Sequence, residues 1–193
     1  MRKSSFSLLK ASEFDMVGKE INKIEKLADN VFVYNSDISV LNTKLINFIK
    51  NKAKESIFQR ARINFHHSDQ DSLHEMVIAM TNKTEVEPHK HPNKVESFHI
   101  IEGTIRIGFL DDKGRIKNIT QLNKDQQPYY RMSAELWHIV VPISDLVVIH
   151  EVTNGPFIKG ISSILPEWYT SDDGSEQANK IRNKIKLWSS MNG

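Results

Sequence analysis

The stretch that decides the fold reads Pro88-His89-Lys90-His91-Pro92-Asn93-Lys94-Val95-Glu96, and Gly103 follows it. Alternate residues of a β-strand point to the same face, so we expect the imidazoles of His89 and His91 to project side by side. Pro92-Asn93 is typical of a turn, and we expect Glu96 to return on the next strand, where its carboxylate can supply an oxygen. The spacing therefore predicts a metal site built on a strand, a turn and a second strand.

A third imidazole is needed to close this site, and His138 is the best candidate. It stands beside Trp137 in the apolar run Leu136–Val141, which predicts a buried strand. Three imidazoles and one carboxylate suit one divalent transition metal (Fe, Mn, Ni, Cu or Zn) and leave positions open for water or substrate. Magnesium and calcium are disfavoured because they prefer oxygen ligands. A His-x-His pair alone is a weak signal among 8 histidines, and the complete pattern carries the prediction.

Short apolar runs separated by turn signals surround this stretch, from about residue 57 to residue 165. Ile105–Leu110 ends at Asp111-Asp112-Lys113-Gly114, and Leu146–Val152 ends at Asn154-Gly155-Pro156. Several short strands at this spacing favour a sandwich or barrel over alternating βαβ units. The fold class is therefore predicted to be mainly β.

The ends of the chain carry helical patterns. One apolar stripe at three- and four-residue spacings consists of Phe14, Val17, Ile21, Ile24 and Ala28. Leu41–Ala53 predicts a second helix, capped by either Ser39 or Asn42, and Ala178–Trp188 predicts a terminal one. Val31–Tyr34 is a short β-like run. We therefore expect a largely helical extension over residues 1–55 that packs on a barrel over 56–168, followed by a loop and helix over 169–193.

Composition limits the classes of function. The 193 residues suit one domain, and the 26 basic and 24 acidic residues nearly balance at a net charge of +2. Lysine clusters near two helices are typical of solvated helix faces, so we expect no nucleic-acid partner. The absence of cysteine excludes a disulfide or a thiolate ligand. The first ten residues lack a sustained apolar segment, and no apolar run is long enough to span a membrane, so a soluble, cytoplasmic protein is expected.

The motif from His89 to Gly103 resembles the first motif of the cupins, and His138 matches the histidine of their second motif. The resemblance implies a cupin-type jelly-roll barrel whose metal ligands are His89, His91, Glu96 and His138. The second motif departs from the family pattern, because Met132 and Glu135 stand where a proline and a glycine are usual.

A narrower resemblance, over about residues 30–168, is to the WbuC family of cupin metalloproteins. It lies in Arg60-Ala61-Arg62-Ile63-Asn64-Phe65-His66, Met76, Pro88–His91, Trp137-His138, Glu151 and Gly155-Pro156-Phe157. That family is associated with gene clusters for bacterial surface polysaccharides, which implies carbohydrate metabolism without naming a reaction. Many cupins are dimers, so a homodimer is expected.

The sequence does not identify catalytic residues, but it offers four candidates: Arg62, Asn64, His66 and Glu87. Arg60, Arg62, Asn64 and His66 alternate with apolar residues, so this polar face either lines a pocket for an anionic or sugar-like ligand or meets solvent. Glu87 shares the parity of His89 and either points inward or faces solvent. We expect His99 to face away from the metal and Lys94 to be a solvated loop residue. Only one of His150 and Glu151 can face inward.

Three functions fit these features. The first is a metal-dependent enzyme acting on sugars, sugar nucleotides or keto acids, by isomerisation or epimerisation, or with Fe(II) by oxygen chemistry. The second is a non-catalytic cupin that binds a small ligand with the help of its metal. The third is a vestigial site that has lost its metal, which the altered second motif allows but the presence of all four ligands argues against.

Overall fold

Ten strands and two α-helices form the part of the chain described by the structure, a computed structural model covering residues 22–133 and 135–189. The strands are β1 (Ile24–Ala28), β2 (Val31–Tyr34), β3 (Arg60–Asn64), β4 (Leu73–Thr81), β5 (Glu96–Glu102), β6 (Thr104–Leu110), β7 (Ile116–Asn123), β8 (Tyr129–Met132), β9 (Trp137–Pro142) and β10 (Leu146–Asn154). The helices are α1 (Thr43–Glu55) and α2 (Gly174–Leu187), and a short 3-10 helix spans Glu167–Tyr169. No helix among these described residues is long and apolar enough to cross a membrane.

The strands form a seven-stranded sheet in the order β1-β2-β3-β4-β10-β5-β8 and a three-stranded sheet in the order β7-β6-β9. His89 extends the smaller sheet, because its backbone exchanges two hydrogen bonds with that of His138, at 3.0 and 2.9 Å. With this segment counted as a strand, β4 to β10 comprise eight strands. Their order is first-eighth-third-sixth in one sheet and second-seventh-fourth-fifth in the other, which is the order of a jelly roll. The predicted mainly β, cupin-type fold is confirmed.

The core lies between the sheets, and each helix covers an outer face. Buried side chains of both sheets meet in one cluster, which includes Met80, Phe98, Ile107, Val140 and Ile149. Helix α1 packs Leu45, Ile49 and Ala53 against the outer face of the larger sheet. Helix α2 packs Ile181 and Ile185 against the outer face of the smaller one. Burying an isoleucine in this way stabilises the fold by about 1.5–3 kcal/mol.

The N-terminal helical stripe is wrong where the structure describes it. Ile24–Ala28 is strand β1, which pairs with β2 across the two-residue turn Asp29-Asn30, and the earlier stripe residues lie outside the described part. A spacing of four residues suits a helix, but Asp-Asn turn chemistry beside a strongly β-forming run favours a hairpin. The larger sheet therefore begins inside the segment predicted as a helical extension.

The other local predictions hold with small shifts. The cap of α1 is Asn42, whose side-chain oxygen accepts hydrogen bonds from the backbone N–H groups of Lys44 and Leu45 at 3.0 and 3.1 Å. Gly103 turns the chain between β5 and β6 with φ at +80°, and a Cβ there would lie 2.5 Å from the carbonyl oxygen of Leu146. Only glycine fits that position, which accounts physically for the glycine of the motif.

Candidate metal centre

Four side chains converge between the two sheets. His89 and His91 come from the segment beside β9, Glu96 is the first residue of β5, and His138 lies on β9. Each offers one ligand atom, and these atoms lie within 4.8 Å of one another. The structure therefore brings together the four ligands predicted from sequence, although His89 and His91 belong to a short bridged segment rather than a full strand.

Backbone carbonyl groups fix the orientation of all three imidazoles. The Nδ1 atoms of His89, His91 and His138 lie 2.7, 2.9 and 2.9 Å from the carbonyl oxygens of Glu87, Ser162 and Leu136 respectively. A carbonyl oxygen only accepts, so each Nδ1 carries a hydrogen and donates it. Each Nε2 is then left for another partner, as in metal-binding histidines.

The carboxylate of Glu96 is held at the same place. Its Oε2 lies 3.2 Å from Nε2 of His91, and its Oε1 lies 3.8 Å from Nε2 of His138. The hydroxyl of Tyr130 donates a hydrogen bond of 3.1 Å to Oε1. Burial alone would raise the pKa of Glu96, but the hydrogen bond to His91 and the neighbouring imidazoles lower it. The carboxylate is therefore ionised, as a metal ligand must be.

The histidines differ in how readily they take a proton. Withdrawal from water, together with the neighbouring imidazoles, lowers the pKa of His89 to about 3. Burial also lowers the pKa of His138. Burial opposes protonation of His91, but the hydrogen bond and charge of Glu96 outweigh it and raise its pKa. His89 and His138 are therefore held neutral, whereas His91 is the imidazole of the three that takes up a proton most readily.

An orphaned buried atom shows that a cation fits here. His138 is completely buried, and its Nε2 has no hydrogen-bond partner among the described residues. Such a group is costly unless something coordinates it. Nitrogen ligands with one carboxylate match a first-row divalent metal.

The altered second motif keeps its turn at a local cost. Glu135, where cupins usually have glycine, adopts φ of +72°, and its backbone N–H donates to the carbonyl oxygen of His91 at 3.3 Å. A non-glycine residue in this left-handed region is strained by about 1 kcal/mol. The departure from the family pattern therefore changes strain in the turn and leaves His138 in place.

A cavity of about 520 Å³ opens beside the four residues. The polar face of β3 lines it with Arg60 and Arg62, and His66 follows at the end of the strand, while Ala61 and Ile63 of the other face pack on α1. The pocket alternative left open by the sequence is thus the observed one for this face. Asn64 is the exception, because it is buried and does not line the cavity.

Glu87 combines both of the alternatives left open for it. Its side chain is exposed, yet it lines the cavity mouth, where the hydroxyl of Tyr169 donates to its Oε1 at 3.2 Å. The alternation of β10 also decides between two neighbours. Glu151 faces the cavity, whereas Nε2 of His150 lies 3.6 Å from Glu75 on the other side.

Lys94 was predicted to be solvated, and that prediction is wrong. Only 6% of Lys94 is exposed, its ammonium group donates to the carbonyl oxygen of Asn154 at 2.7 Å, and burial lowers its pKa. The hydrogen bond satisfies the charge inside the loop, and its stem is thereby buried. His99, by contrast, is exposed on β5 and points away from the site, as predicted.

Sequence reasoning missed the part played by Glu151 and His74. Burial and the negative charge of Glu96 raise the pKa of Glu151 to about 8. His74 stacks on His66, with ring centroids 4.1 Å apart and planes at 5°, and both line the cavity. Alternation along β10 could have favoured Glu151, because it shares the parity of the apolar Val147 and Ile149. Nothing in the sequence near His74 indicates its position.

Several solved structures are similar to this chain. They include the capsular polysaccharide assembling protein CapF from Staphylococcus aureus, at 16% identity over 55% of this chain and 30% of that one, with a TM-score of 0.47. The L-ribose isomerase of Cellulomonas parahominis is 12% identical over 50% and 60%, with a TM-score of 0.43. The cupin domain of Schizosaccharomyces pombe Cnp3 is 16% identical over 50% and 65%, with a TM-score of 0.40. This chain spans about a third of the length of CapF.

A family model described as a domain of unknown function, DUF6016, matches residues 41–122. That range runs from the start of α1 into β7 and contains three of the four clustered residues, His89, His91 and Glu96. A search of curated proteins finds no match to this sequence. The chain is a jelly-roll protein by its own strand order, with a His/Glu cluster of the kind that can hold a metal ion.

Proposed function

We propose that this protein is a metal-dependent cupin enzyme that holds one divalent transition metal on His89, His91, Glu96 and His138. Its substrate would be a small molecule bound in the adjoining cavity. The observation that carries the proposal is the cluster of four ligand atoms within 4.8 Å of one another, in which Nδ1–carbonyl bonds orient the three imidazoles. Building that arrangement without a cation would leave Nε2 of the buried His138 unsatisfied.

The metal, when bound, supplies a Lewis acid that polarises a carbonyl or hydroxyl group, or with Fe(II) a centre for oxygen chemistry. The chain contributes the rest. Tyr130 holds Glu96 by its hydrogen bond. Glu151 faces the same cavity, and burial and the charge of Glu96 raise its pKa to about 8 in the metal-free protein, so it can exchange a proton with a bound substrate. A bound cation nearby lowers the pKa of Glu151 and so moves that pKa from about 8 toward 7.

The sequence candidates divide by position. Arg62, His66 and Glu87 line the cavity and can contact a substrate there, whereas Asn64 does not line it. The reaction classes that fit are isomerisation or epimerisation of a sugar, or oxygenation. The likeness to the WbuC family, in its Arg-x-Arg-x-Asn-x-His segment, supports membership in that family and a role in surface-polysaccharide metabolism.

Two readouts on the purified protein test the enzymatic proposal. Zinc- and manganese-loaded protein is incubated with a panel of aldoses, ketoses and uronic acids in D₂O, and proton NMR follows deuterium entry beside the carbonyl carbon. Iron(II)-loaded protein is tested with the same panel in an oxygen electrode. We expect turnover with one class of metal, and its loss in Glu151→Gln if that carboxyl group carries the proton.

Tight binding of a panel member without turnover under any metal would contradict the enzymatic proposal. It would indicate instead a cupin that binds a small ligand with the help of its metal. His99→Ala serves as the control for histidine replacement, since His99 is exposed and lies away from the cavity.

A further inference from the structure

Two arginines of β3 face the cavity. Arg60 and Arg62 lie two residues apart on β3, so their side chains share one face. Neither guanidinium group forms a hydrogen bond or a close ion pair with a described residue, although the charges of Glu87 and Glu151 attract Arg60 and that of Glu151 attracts Arg62. Arg60 is half-buried, so its charge is costly, and the exposed Arg62 repels it. The charges of Glu87 and Glu151 offset these two effects only in part, because the pKa of Arg60 is lowered overall. A bound anion would relieve both costs.

A row of polar side chains lies elsewhere on the same wall. His74 of β4 is in register with Thr153 of β10, and Thr153 is in register with Glu96 of β5. Nε2 of His74 and Oγ1 of Thr153 are buried and have no hydrogen-bond partner among the described residues, and both residues line the cavity. A hydroxyl group both donates and accepts, so it can satisfy either atom.

These two features have different positions relative to the metal centre. The polar row ends at Glu96, one of the four clustered residues, whereas the arginines lie on β3, three places from β5 in the sheet order. All of them border one cavity of about 520 Å³, a size that encloses a single small molecule. One ligand can therefore reach the metal centre, the polar row and the arginines together.

We propose that the cavity selects a small polyhydroxylated oxyanion, such as a sugar acid or a sugar phosphate. Its carboxylate or phosphate group binds the guanidinium groups of Arg60 and Arg62. Its hydroxyl groups bind His74 and Thr153 beside the metal centre. The inference rests on the proposed function for the role of the metal, but the anion and hydroxyl contacts belong to the protein alone.

Four probes separate the two kinds of contact. Gluconate and glucose phosphate carry both an anion and hydroxyl groups, hexanoate carries only the anion, and glucose carries only the hydroxyl groups. Each is titrated calorimetrically into metal-loaded protein and into protein stripped of metal by a chelator, so that binding to the metal is distinguished from binding to the chain. We expect gluconate and glucose phosphate to bind tightest in both forms of the protein. The ratio of their two dissociation constants shows whether the site prefers a carboxylate or a phosphate.

The variants are Arg60→Gln, Arg62→Gln and Thr153→Val, and Arg131→Gln is the control. Arg131 is an exposed strand arginine on β8 that does not line the cavity. Each cavity arginine contributes a charged hydrogen bond, so its loss should weaken the binding of gluconate or glucose phosphate by about tenfold or more. Thr153→Val should weaken the same probes by about threefold and leave hexanoate unchanged. Arg131→Gln should bind like the unchanged protein.

The proposal is overturned if Arg60→Gln and Arg62→Gln bind both hydroxylated anions as tightly as the control, or if hexanoate and glucose bind as well as those anions. Metal content is measured by mass spectrometry on every sample. Loss of oxyanion selectivity with one metal retained would refute this inference and leave the proposed function intact. Selective binding in protein that takes up no metal would refute the metal proposal and support the oxyanion site.

Discussion

The two faces of the seven-stranded sheet are made by the same strands but carry different chemistry. On the outer face, Ala61, Ile63, Val77, Ala79 and Val148 pack with the apolar residues of α1 and are almost completely buried. On the inner face, toward one end, stand Arg60, Arg62, His74, Glu96 and Glu151, and the buried Nε2 of His74 has no hydrogen-bond partner among the described residues. Alternation along each strand separates the two sets.

The contrast shows which residues stabilise the fold and which are available to a ligand. On the outer face, each of these apolar side chains is buried against other apolar side chains. The inner face keeps the buried carboxylate of Glu96, and Nε2 of His74 and Oγ1 of Thr153 are buried there without a partner among the described residues. Such groups destabilise a fold unless a bound species compensates them, so they mark the functional side.

The largest expected effect separates metal binding from folding. Replacing His138 by alanine removes one of four ligands, so metal affinity should fall roughly a few hundredfold or more. The barrel should still fold, because apolar clusters of other residues hold the two sheets and α2 together. Mass spectrometry for metal and circular dichroism for folding, with His99→Ala as the control, make the comparison. Full metal occupancy in His138→Ala, His89→Ala and His91→Ala would break the distinction between the two faces.

The converse substitution lies on the outer face. Ile49 of α1 is completely buried against the sheet, so Ile49→Ala should lower the free energy of unfolding by about 2–5 kcal/mol. Metal stoichiometry should stay unchanged. Denaturant titration measures the stability, and Ile38→Ala, at a position 76% exposed, should change it by less than about 0.5 kcal/mol. A loss of metal with full stability in Ile49→Ala would contradict the separation.

A smaller effect tests how the inner face holds its carboxylate. Tyr130→Phe removes the hydrogen bond to Oε1 of Glu96 and keeps the ring, so metal affinity should fall about tenfold. The control is Tyr129→Phe, because Tyr129 is 58% exposed and its hydroxyl bonds Ser97 instead. Competition with a chelator measures both. Equal affinity in the two variants would show that Tyr130 does not position Glu96.

The smallest effect concerns the turn before His138. Glu135→Gly relieves the strain of a φ of +72°, so stability should rise by about 0.5–1 kcal/mol. Glu135→Ala keeps the strain and should change little. Thermal unfolding of the metal-free protein measures the difference. A loss of stability in Glu135→Gly would mean that the left-handed backbone at this position costs nothing.

The sequence predicted what depends on spacing and missed what depends on partners. The pattern from His89 to Gly103 placed a metal cluster, and alternation gave β3 a polar and an apolar face. The stripe at Ile24 and Ala28 misled, because a helical spacing is equally compatible with a strand when a hairpin turn and a neighbouring strand supply hydrogen bonds. The prediction that Lys94 is solvated was wrong because its hydrogen-bond partner, the carbonyl oxygen of Asn154, is 60 residues away in the sequence.

Glu151 and His74 show where local reasoning ends. The parity of Val147 and Ile149 could have pointed Glu151 inward, but that it meets Glu96 and the cavity depends on the pairing of β10 with β5. His74 becomes informative through its register with Thr153 and its stacking on His66, which are contacts between strands. Long-range contacts of this kind leave no signal in a single sequence.

The central claim is that the four clustered residues hold one transition metal. Mass spectrometry of the intact chain, purified without a metal-affinity column, measures it most directly. The account predicts about one equivalent of Fe, Mn, Ni, Cu or Zn per chain, and its loss in His138→Ala. Protein that arrives empty and takes up none of these five metals when they are added would contradict it.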